Sequence, residues 1–144
     1  MRPMLEQLLE NNKETIKIVF KHFPLSMHKQ AKLAAYAAIA AEKQNNFYFW
    51  MYHNELFLNS GKLNEPDIFL EIAKTINLDI DRFSKDMASQ ETKNKVLKDL
   101  RDGTQAGVTG IPAIFINGRR LKKRSVADAQ KLIDAELKKL GSNK

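Results

Sequence analysis

The sequence predicts an α/β domain with about three strands and six helices, in which β-elements near both ends enclose a long helical block. Three observations support this. TIKIVFKHF alternates apolar and polar residues, residues 26–105 follow helical spacing almost throughout, and AIFI is followed by Asn-Gly and RRLKK. A chain of 144 residues is the size of one domain, since domains cluster at roughly 100–200 residues.

Composition excludes several classes of function. There is no cysteine, so the chain as given has no disulfide, no thiolate nucleophile and no thiolate metal ligand. The net charge of +7 permits an acidic partner without requiring one. No stretch reaches the roughly 18 apolar residues of a membrane span. The start, MRPMLEQLLENN, lacks the apolar core of a signal peptide.

The N-terminal part predicts a helix and then a strand. Helical spacing relates Met1, Met4, Leu5, Leu8 and Leu9, and the helix is expected to end at Asn11 and Asn12. The strand alternates Ile16, Ile18 and Phe20 with Thr15, Lys17 and Lys21, and Pro24 closes it.

The helical block begins with an alanine-rich helix expected from about Ser26. An aromatic element follows, which we expect to be mostly core, with an exposed peptide groove as the alternative: Phe47, Phe49, Trp50, Leu56 and Phe57. Pro66 between Glu65 and Asp67 predicts a helix start. Asp79 is a candidate N-cap, and the last helix of the block spans about residues 90–105.

The C-terminal part predicts a hairpin and a helix. Asn117 and Gly118 are a strong two-residue turn signal between AIFI and RRLKK. Ser125 and Asp128 match a capping box before a helix whose apolar positions are Val126, Ala129, Leu132, Ile133, Leu137 and Leu140. Pro112, before AIFI, could belong to an ordinary trans turn or to a cis bond.

This order of elements resembles a thioredoxin fold with an enlarged helical middle and no first strand. Two stretches resemble DsbA-like thiol–disulfide oxidoreductases. The first is FPLSMHKQAKLAAYAAIAAEKQNNFYFWMYHNELF, with its Phe-Pro-Leu, histidine, spaced alanines, Phe-Trp-x-x-His and Leu-Phe. The second is GVTGIPAIFINGR, and the resemblance covers nearly the whole chain. It implies a single thioredoxin-like domain over residues 1–144, with a helical insertion at 26–105 and an incomplete core of 1–25 plus 106–144.

The resemblance also implies what the chain lacks. In the family a Cys-x-x-Cys pair follows the first core strand, and both would precede Met1. The shortening reflects processing, start-codon choice or where the sequence was cut, or it is natural and the protein is not a redox enzyme. A missing strand would leave a gap between residues 16–20 and 113–116. We expect direct pairing of these segments, a strand inserted by another chain, or an exchange of segments between protomers.

By resemblance, the substrate-binding residues are Gly110, Ile111 and Pro112. The proline would be cis, and Ile111 would offer its backbone N–H and C=O to an extended substrate. No catalytic residue, cofactor or metal is expected. His22, His28 and His53 lack metal-ligand spacing; we expect His53 beside Trp50 and His28 in the first turn of a helix.

These residues support a DsbA-like oxidoreductase family member that is inactive alone because it has no cysteine. Whether it is an enzyme is therefore left open, and a non-catalytic peptide-binding or interaction module is the alternative. A third hypothesis, a nucleic-acid or membrane-surface binder, uses the basic run of Arg119, Arg120, Lys122, Lys123 and Arg124. We favour a charge-protected edge strand there and do not expect nucleic acid as a partner. The expected partners are extended or unfolded proteins and a strand-exchanged or edge-paired second copy, and the resemblance implies a periplasmic or other extracytoplasmic location.

Overall fold

A computed structural model describes residues 1–142 of the chain. Its elements are α1 Arg2–Asn11, α2 Ala31–Gln44, α3 Asn46–Leu58, α4 Ile68–Thr75, α5 Ile80–Ala88, α6 Gln90–Gln105, β1 Phe115–Ile116, β2 Arg119–Arg120 and α7 Val126–Ser142, with a 3-10 turn at Ser60–Lys62. The described chain thus has one helix more and one strand fewer than expected. It forms two compact units: Lys21–Gly107, and Met1–Phe20 together with the chain from Val108 onward.

The unit Lys21–Gly107 is helical, and α2 is its centre. Helix α2 packs against α3, α4, α5 and α6. Its alanines Ala37, Ala40 and Ala41 are fully buried, and their small side chains let the neighbouring helices approach closely. The largest side chains buried in this unit, Tyr52 and Phe83, pack with their ring centroids 5.5 Å apart. None of the helices in residues 1–142 is long and apolar enough to cross a membrane.

The aromatic helix α3 is core on one face only. Phe49, Tyr52 and Leu56 are buried, as expected for a core element. On the same helix Phe47 is 67% exposed and Phe57 is 69% exposed. The expectation that this cluster is mostly core therefore holds for Phe49 and Leu56 and is wrong for Phe47 and Phe57, which the helical repeat places on the outer face.

Local capping signals locate most of the helix boundaries. The Asp79 side chain accepts a hydrogen bond from the Arg82 N–H at 3.0 Å, which confirms the predicted cap of α5. Helix α6 spans the predicted residues 90–105. The predicted start at Pro66 is wrong, because Asp67 has a φ of 62° and α4 begins at Ile68. The first helix of the block also starts later than predicted, since residues 26–30 form turns before Ala31.

The other unit is built on an apolar cluster that joins two helices to a hairpin. Its buried members are Leu8 of α1, Leu121 after β2, and Ala129 and Ile133 of α7. The strands β1 and β2 are antiparallel, with Phe115 opposite Arg120 and Ile116 opposite Arg119. The turn residues Asn117 and Gly118 have φ angles of 46° and 79°, so the predicted hairpin is confirmed. The N-cap half of the predicted capping box is present, since the Asp128 N–H donates to Ser125 Oγ at 3.1 Å. The reciprocal half is not formed, because the Ser125 N–H donates to the Lys123 carbonyl at 3.0 Å.

The predicted strand in TIKIVFKHF is wrong. Residues 16–25 belong to no helix and no strand, although the side chains of Ile16 and Ile18 are half-buried while those of Lys17 and Val19 are exposed. A strand requires a hydrogen-bonded neighbour, and within residues 1–142 the only sheet is β1 with β2. The alternation of apolar and polar residues therefore predicts which side chains are partly buried. It does not supply the neighbouring strand that a β-strand requires. Direct pairing of residues 16–20 with 113–116 does not occur in this structure.

The contact between α1 and α7 includes a reciprocal amide pair, which yields a stability prediction. Asn12 Nδ2 donates to Gln130 Oε1 at 2.7 Å and to the Leu8 carbonyl at 2.8 Å, and Gln130 Nε2 donates to Asn12 Oδ1 at 2.8 Å. Because Asn12 is buried, Asn12→Ala should lower the free energy of unfolding by about 1–3 kcal/mol, measured by urea denaturation. The exposed neighbour offers a matched control, Asn11→Ala, with an expected change within about 0.5 kcal/mol. Equal stability of the two variants would contradict this account.

Candidate functional site

The predicted site residues lie in a loop between α6 and β1. Gly107, with a φ of 74°, follows the end of α6, and its N–H donates to the Thr104 carbonyl at 3.0 Å. The left-handed conformation at Gly107 is one that glycine adopts without steric cost, so it ends the helix sharply. The chain then bends at residues 110–112 and enters β1.

The structure places Gly110, Ile111 and Pro112 together on the surface. The Ile111 side chain is 50% exposed, and all three residues are classed as exposed. The Ile111-Pro112 peptide bond is cis, as the resemblance implies. Gly110 has no positive φ, and a Cβ there would meet no atom within 4 Å, so neither backbone conformation nor crowding requires glycine.

The hairpin holds the end of this loop. The Leu121 N–H donates to the Ile114 carbonyl at 2.9 Å, and the side chains of Ile114 and Ile116 pack on the buried cluster around Leu121. These contacts anchor the chain directly after the exposed Ile111 and Pro112. The stretch GVTGIPAIFING contains no ionisable side chain. This stretch can therefore bind a partner through backbone hydrogen bonds and apolar contacts, but it has no side chain for acid–base chemistry.

The basic run lies at and beyond the edge strand β2. Its five cationic side chains are exposed, and Arg119 forms an ion pair with Glu136 of α7 at 3.2 Å. Glu136 also pairs with Lys139 at 2.7 Å. Hydrogen bonds from Lys139 and then from Arg119 hold the pKa of the Glu136 carboxyl below its usual range. Charge along an exposed edge discourages pairing with other chains, which agrees with the interpretation that this run protects the edge.

His22 is the buried histidine of the described chain. Its ring meets the Phe49 ring edge-on, with centroids 5.9 Å apart, and its backbone N–H donates to Asp99 Oδ2 at 2.9 Å. Burial lowers the pKa of His22 from 6.5 to about 4, although the Asp99 carboxylate opposes the shift. A histidine that stays neutral across physiological pH here packs as an aromatic group.

The other two histidines differ in their surroundings. His53 lies 6.1 Å from the Trp50 ring centroid, as expected, and also contacts Phe49 and Phe57 at 5.6 and 4.9 Å. His28 is exposed in the turn before α2, so its predicted place in a first helical turn is wrong. Residues 1–142 contain no group of three or more His, Asp or Glu side chains placed to hold a metal ion.

Asp99 is a residue that the sequence reading missed. It is 3% exposed, accepts from the His22 N–H, and binds Lys21 Nζ at 3.2 Å. The hydrogen bond to Asp99 is the main cause that raises the pKa of Lys21. The burial of Asp99 could have been predicted from the helical spacing. Asp99 follows the buried Val96 by three residues and therefore lies on the same face of α6. Its contacts fix the segment that precedes Phe23 and Pro24.

Comparison with known proteins identifies the family of this chain. The family model described as a DSBA-like thioredoxin domain matches residues 1–138. The chain belongs to the DSBA-like thioredoxin domain family. The α/β fold class and the family resemblance predicted from sequence are therefore confirmed, with the helical middle and the two-stranded sheet described above.

Two kinds of relatives match most of the chain. The chain is 33% identical over 134 residues to the probable disulfide bond formation protein D of Bacillus cereus, which covers 89% of this chain and 61% of that protein. The protein of the same name from Bacillus anthracis is 32% identical over 134 residues, with the same shares covered. The chain is also 33% identical over 119 residues to the Na(+)/H(+) antiporter NhaA 3 of Salinispora tropica, covering 82% of this chain and 18% of the antiporter. This chain thus spans about three fifths of the length of the disulfide bond formation proteins.

The buried His22 predicts a pH-dependent stability. The folded pKa of about 4 lies below the unfolded value of 6.5, so protonation favours the unfolded chain. Stability should therefore be complete above pH 6.5 and fall as the pH is lowered toward 4, by about 3 kcal/mol from this group. Urea denaturation between pH 7 and pH 4 measures the slope.

Two variants isolate the contribution of His22. His22→Asn should flatten the slope between pH 6.5 and 4, whereas the exposed His28→Asn should leave it unchanged. The comparison is needed because the charges of Asp99, Lys95, Glu42 and His53 also act on His22. An identical slope in His22→Asn and the unmodified chain would refute the assignment.

Proposed function

We propose that this chain is the polypeptide-docking part of a protein that forms or exchanges disulfide bonds in other proteins. The observation that carries the proposal is the exposed bend of residues 110–112, which leads into the hairpin of a chain of the DSBA-like family. Relatives that match 89% of the chain carry the name disulfide bond formation protein, which supports the same function.

In this proposal an extended segment of the substrate lies along Ile111. Its backbone hydrogen-bonds to the N–H and C=O of Ile111, as in strand addition, and its side chains contact the exposed isoleucine. Backbone pairing accepts many sequences, which suits a protein that acts on unfolded or extended proteins. Because residues 107–118 carry no ionisable group, this docking should depend little on pH.

The exchange chemistry itself requires a thiol, and these 144 residues contain no cysteine. In disulfide exchange a thiolate forms a new S–S bond with one sulfur of a disulfide while the other sulfur leaves as a thiolate. Hydroxyl groups do not replace it, since they form no stable reversible bond to sulfur. The proposal therefore assigns docking to this chain and the thiol pair to cysteines outside the 144 residues. It also places the protein outside the cytoplasm, where thiols are oxidised.

The absence of cysteine favours a second candidate, a non-catalytic peptide-binding module on the same fold. The two candidates differ in the reading frame upstream of Met1. A strand followed by Cys-x-x-Cys in that frame supports the first candidate, and a stop codon without such a motif supports the second. Both share the docking role of Ile111.

The docking role predicts the effect of a charge at Ile111. Reduced and alkylated α-lactalbumin, labelled with a fluorophore, serves as an unfolded protein without free thiols. Ile111→Asp should weaken its binding at least about tenfold, because a carboxylate would have to lose water beneath the docked chain. Ile111→Val keeps a β-branched apolar side chain and should stay within about threefold.

Fluorescence anisotropy measures the binding, and circular dichroism checks that each variant folds. Leu97→Asp is the matched control, since Leu97 is 46% exposed on α6, nearly the exposure of Ile111. Equal binding by Ile111→Asp and the unmodified chain would rule out docking at this loop.

The lack of a cysteine thiol predicts that the 144-residue chain neither oxidises thiols nor reduces insulin disulfides. The expected rate equals that of buffer alone, since no thiolate is present to attack a disulfide. Turbidity of reduced insulin and oxidation of a dithiol peptide, followed with and without the chain, measure the two reactions. A rate above that of buffer, measured with the pure chain, would contradict the proposal that this chain only docks the substrate and that cysteines outside it carry out the exchange.

A further inference from the structure

The helical unit Lys21–Gly107 carries a mostly apolar groove on its surface. Its volume is about 450 Å³, which falls within the roughly 300–1,000 Å³ of typical ligand sites. The apolar lining comes from three helices: Leu33 and Tyr36 of α2, Phe69 and Leu70 of α4, and Met87 of α5. The proposed docking at Ile111 uses none of these residues.

The apolar lining rests on the buried core beneath it. Phe69, Leu70 and Met87 are half-buried and pack against the main core cluster of the unit, and Tyr36 packs against the cluster of α2 and α6. Leu33 remains 41% exposed. The groove is therefore formed by the fold itself, and a partner that covers it would remove apolar surface from water.

Lys93 of α6 lines the same groove with an unpaired charge. Two lysines of the described chain, Lys43 and Lys93, are half-buried. The Lys43 ammonium binds Glu91 at 2.7 Å and Asp86 at 3.3 Å. The Lys93 ammonium has no hydrogen bond or ion pair within residues 1–142. A carboxylate brought to Lys93 by a partner would form a partly buried pair, which water and salt screen less than an exposed one.

Asp67 supplies a charge of the opposite sign. It precedes α4, but its carboxylate makes no capping hydrogen bond and no ion pair within the described residues. Helices α2 and α5 pack against each other, and each also packs against α4 and α6. The groove therefore follows α2 and α5, with Asp67 on its α4 side and Lys93 on its α6 side.

We propose that this groove binds an amphipathic helix of another polypeptide. The apolar stripe of that helix would lie in the groove, its acidic residues beside Lys93 and its basic residues beside Asp67. The apolar lining belongs to helices, whose backbone groups are bonded internally, so it offers no open edge to an extended chain. An extended guest would lose water from its own N–H and C=O groups without a partner, whereas a helix satisfies them within itself.

Charge argues against a second copy of this chain as the guest. Two copies would each carry a net charge of +7, which opposes their close approach. The groove itself presents one acid and one base, so it matches a helix that carries both signs beside its apolar stripe. We therefore assign the groove to a different polypeptide.

A designed peptide tests the proposal. The probe is a labelled fourteen-residue helix with leucine at every third or fourth position, glutamates along one side of the leucine stripe, lysines along the other, and alanine elsewhere. Since the helix can lie in either direction, one direction always brings glutamates toward Lys93. A matched peptide with proline at a central alanine cannot stay helical and should bind at least about tenfold more weakly by fluorescence anisotropy. Equal binding of the two peptides, or no binding of the helical one at about 1 mM, would overturn the proposal.

Charge reversal tests the pairing at Lys93. A second helical peptide carries lysine in place of every glutamate. Lys93→Glu should weaken binding of the glutamate peptide and strengthen binding of the all-lysine peptide, each at least about threefold. Lys131→Glu makes the same charge change at an exposed residue of α7 and should alter neither affinity more than about 1.5-fold. Equal effects of the two variants would reduce the interaction to net charge and refute the site.

Substitutions at exposed leucines locate the peptide. Leu33→Asp should weaken its binding at least about tenfold, because a carboxylate would lose water beneath the apolar stripe. Leu97→Asp is the matched control, since Leu97 is 46% exposed on α6 and does not line the groove. Circular dichroism checks that both variants fold. Equal binding by Leu33→Asp and the unmodified chain would rule out the groove.

Two further outcomes separate this site from the other possibilities. Ile111→Asp should leave binding of the helical peptide intact, so the two proposals fail separately. Loss of binding in Ile111→Asp would place the peptide at the docking loop and contradict the assignment. Sedimentation of the chain alone should show a monomer, and a dimer that Leu33→Asp dissociates would identify a second copy as the guest and overturn the proposal.

Discussion

Side-chain packing around Leu8, Leu121, Ala129 and Ile133 is the interaction on which the unit of α1, α7 and the hairpin depends. A sheet of two residues per strand is too short to be stable by its own hydrogen bonds. The fully buried Ala129 lets the backbone of α7 lie close to its neighbours, and Leu121 and Ile133 fill the space beside it. The hairpin therefore persists because helices cover its apolar face.

The position of the candidate site follows from this packing. Ile114 and Ile116 face the cluster, so the chain is held from Ile114 onward, and residues 110–112 project just before that point. A surface loop anchored at the edge of a core can stay exposed and still keep a defined place. A loop held in this way should bind an extended segment more tightly, because it loses little conformational entropy on binding.

Polar groups are satisfied differently in side chains and in backbone. Among the described residues, no buried side-chain nitrogen or oxygen lacks a hydrogen-bond partner, and the buried Asp99 shows how this is achieved, with Lys21 and the His22 N–H as donors. The backbone of residues 16–19 is the contrast, since it remains without backbone partners in the described chain. Backbone groups need an aligned neighbouring strand, whereas a side chain can turn toward a partner. This difference explains why the backbone groups of residues 16–19 lack hydrogen bonds to other backbone groups while the buried side chains are all hydrogen-bonded.

The sequence by itself determined the features whose bonds are local. The N-caps at Asp79 and Ser125 and the hairpin at Asn117 all form between residues a few positions apart, so their signals are complete in the sequence. The missing thiolate is likewise a matter of composition, and two long motifs sufficed to indicate the family.

Only the tertiary structure decided the features that depend on remote partners. Residues 16–20 have the composition of a strand, but a strand forms only where a neighbour is aligned with it. The α3 aromatics divide into buried and exposed sets according to which helices cover them. Asp99 pairs with residues 77 and 78 positions away, and no local pattern reports such a distance. Local hydrogen bonds can thus be read from the chain, whereas burial and pairing are set by residues that only folding brings together.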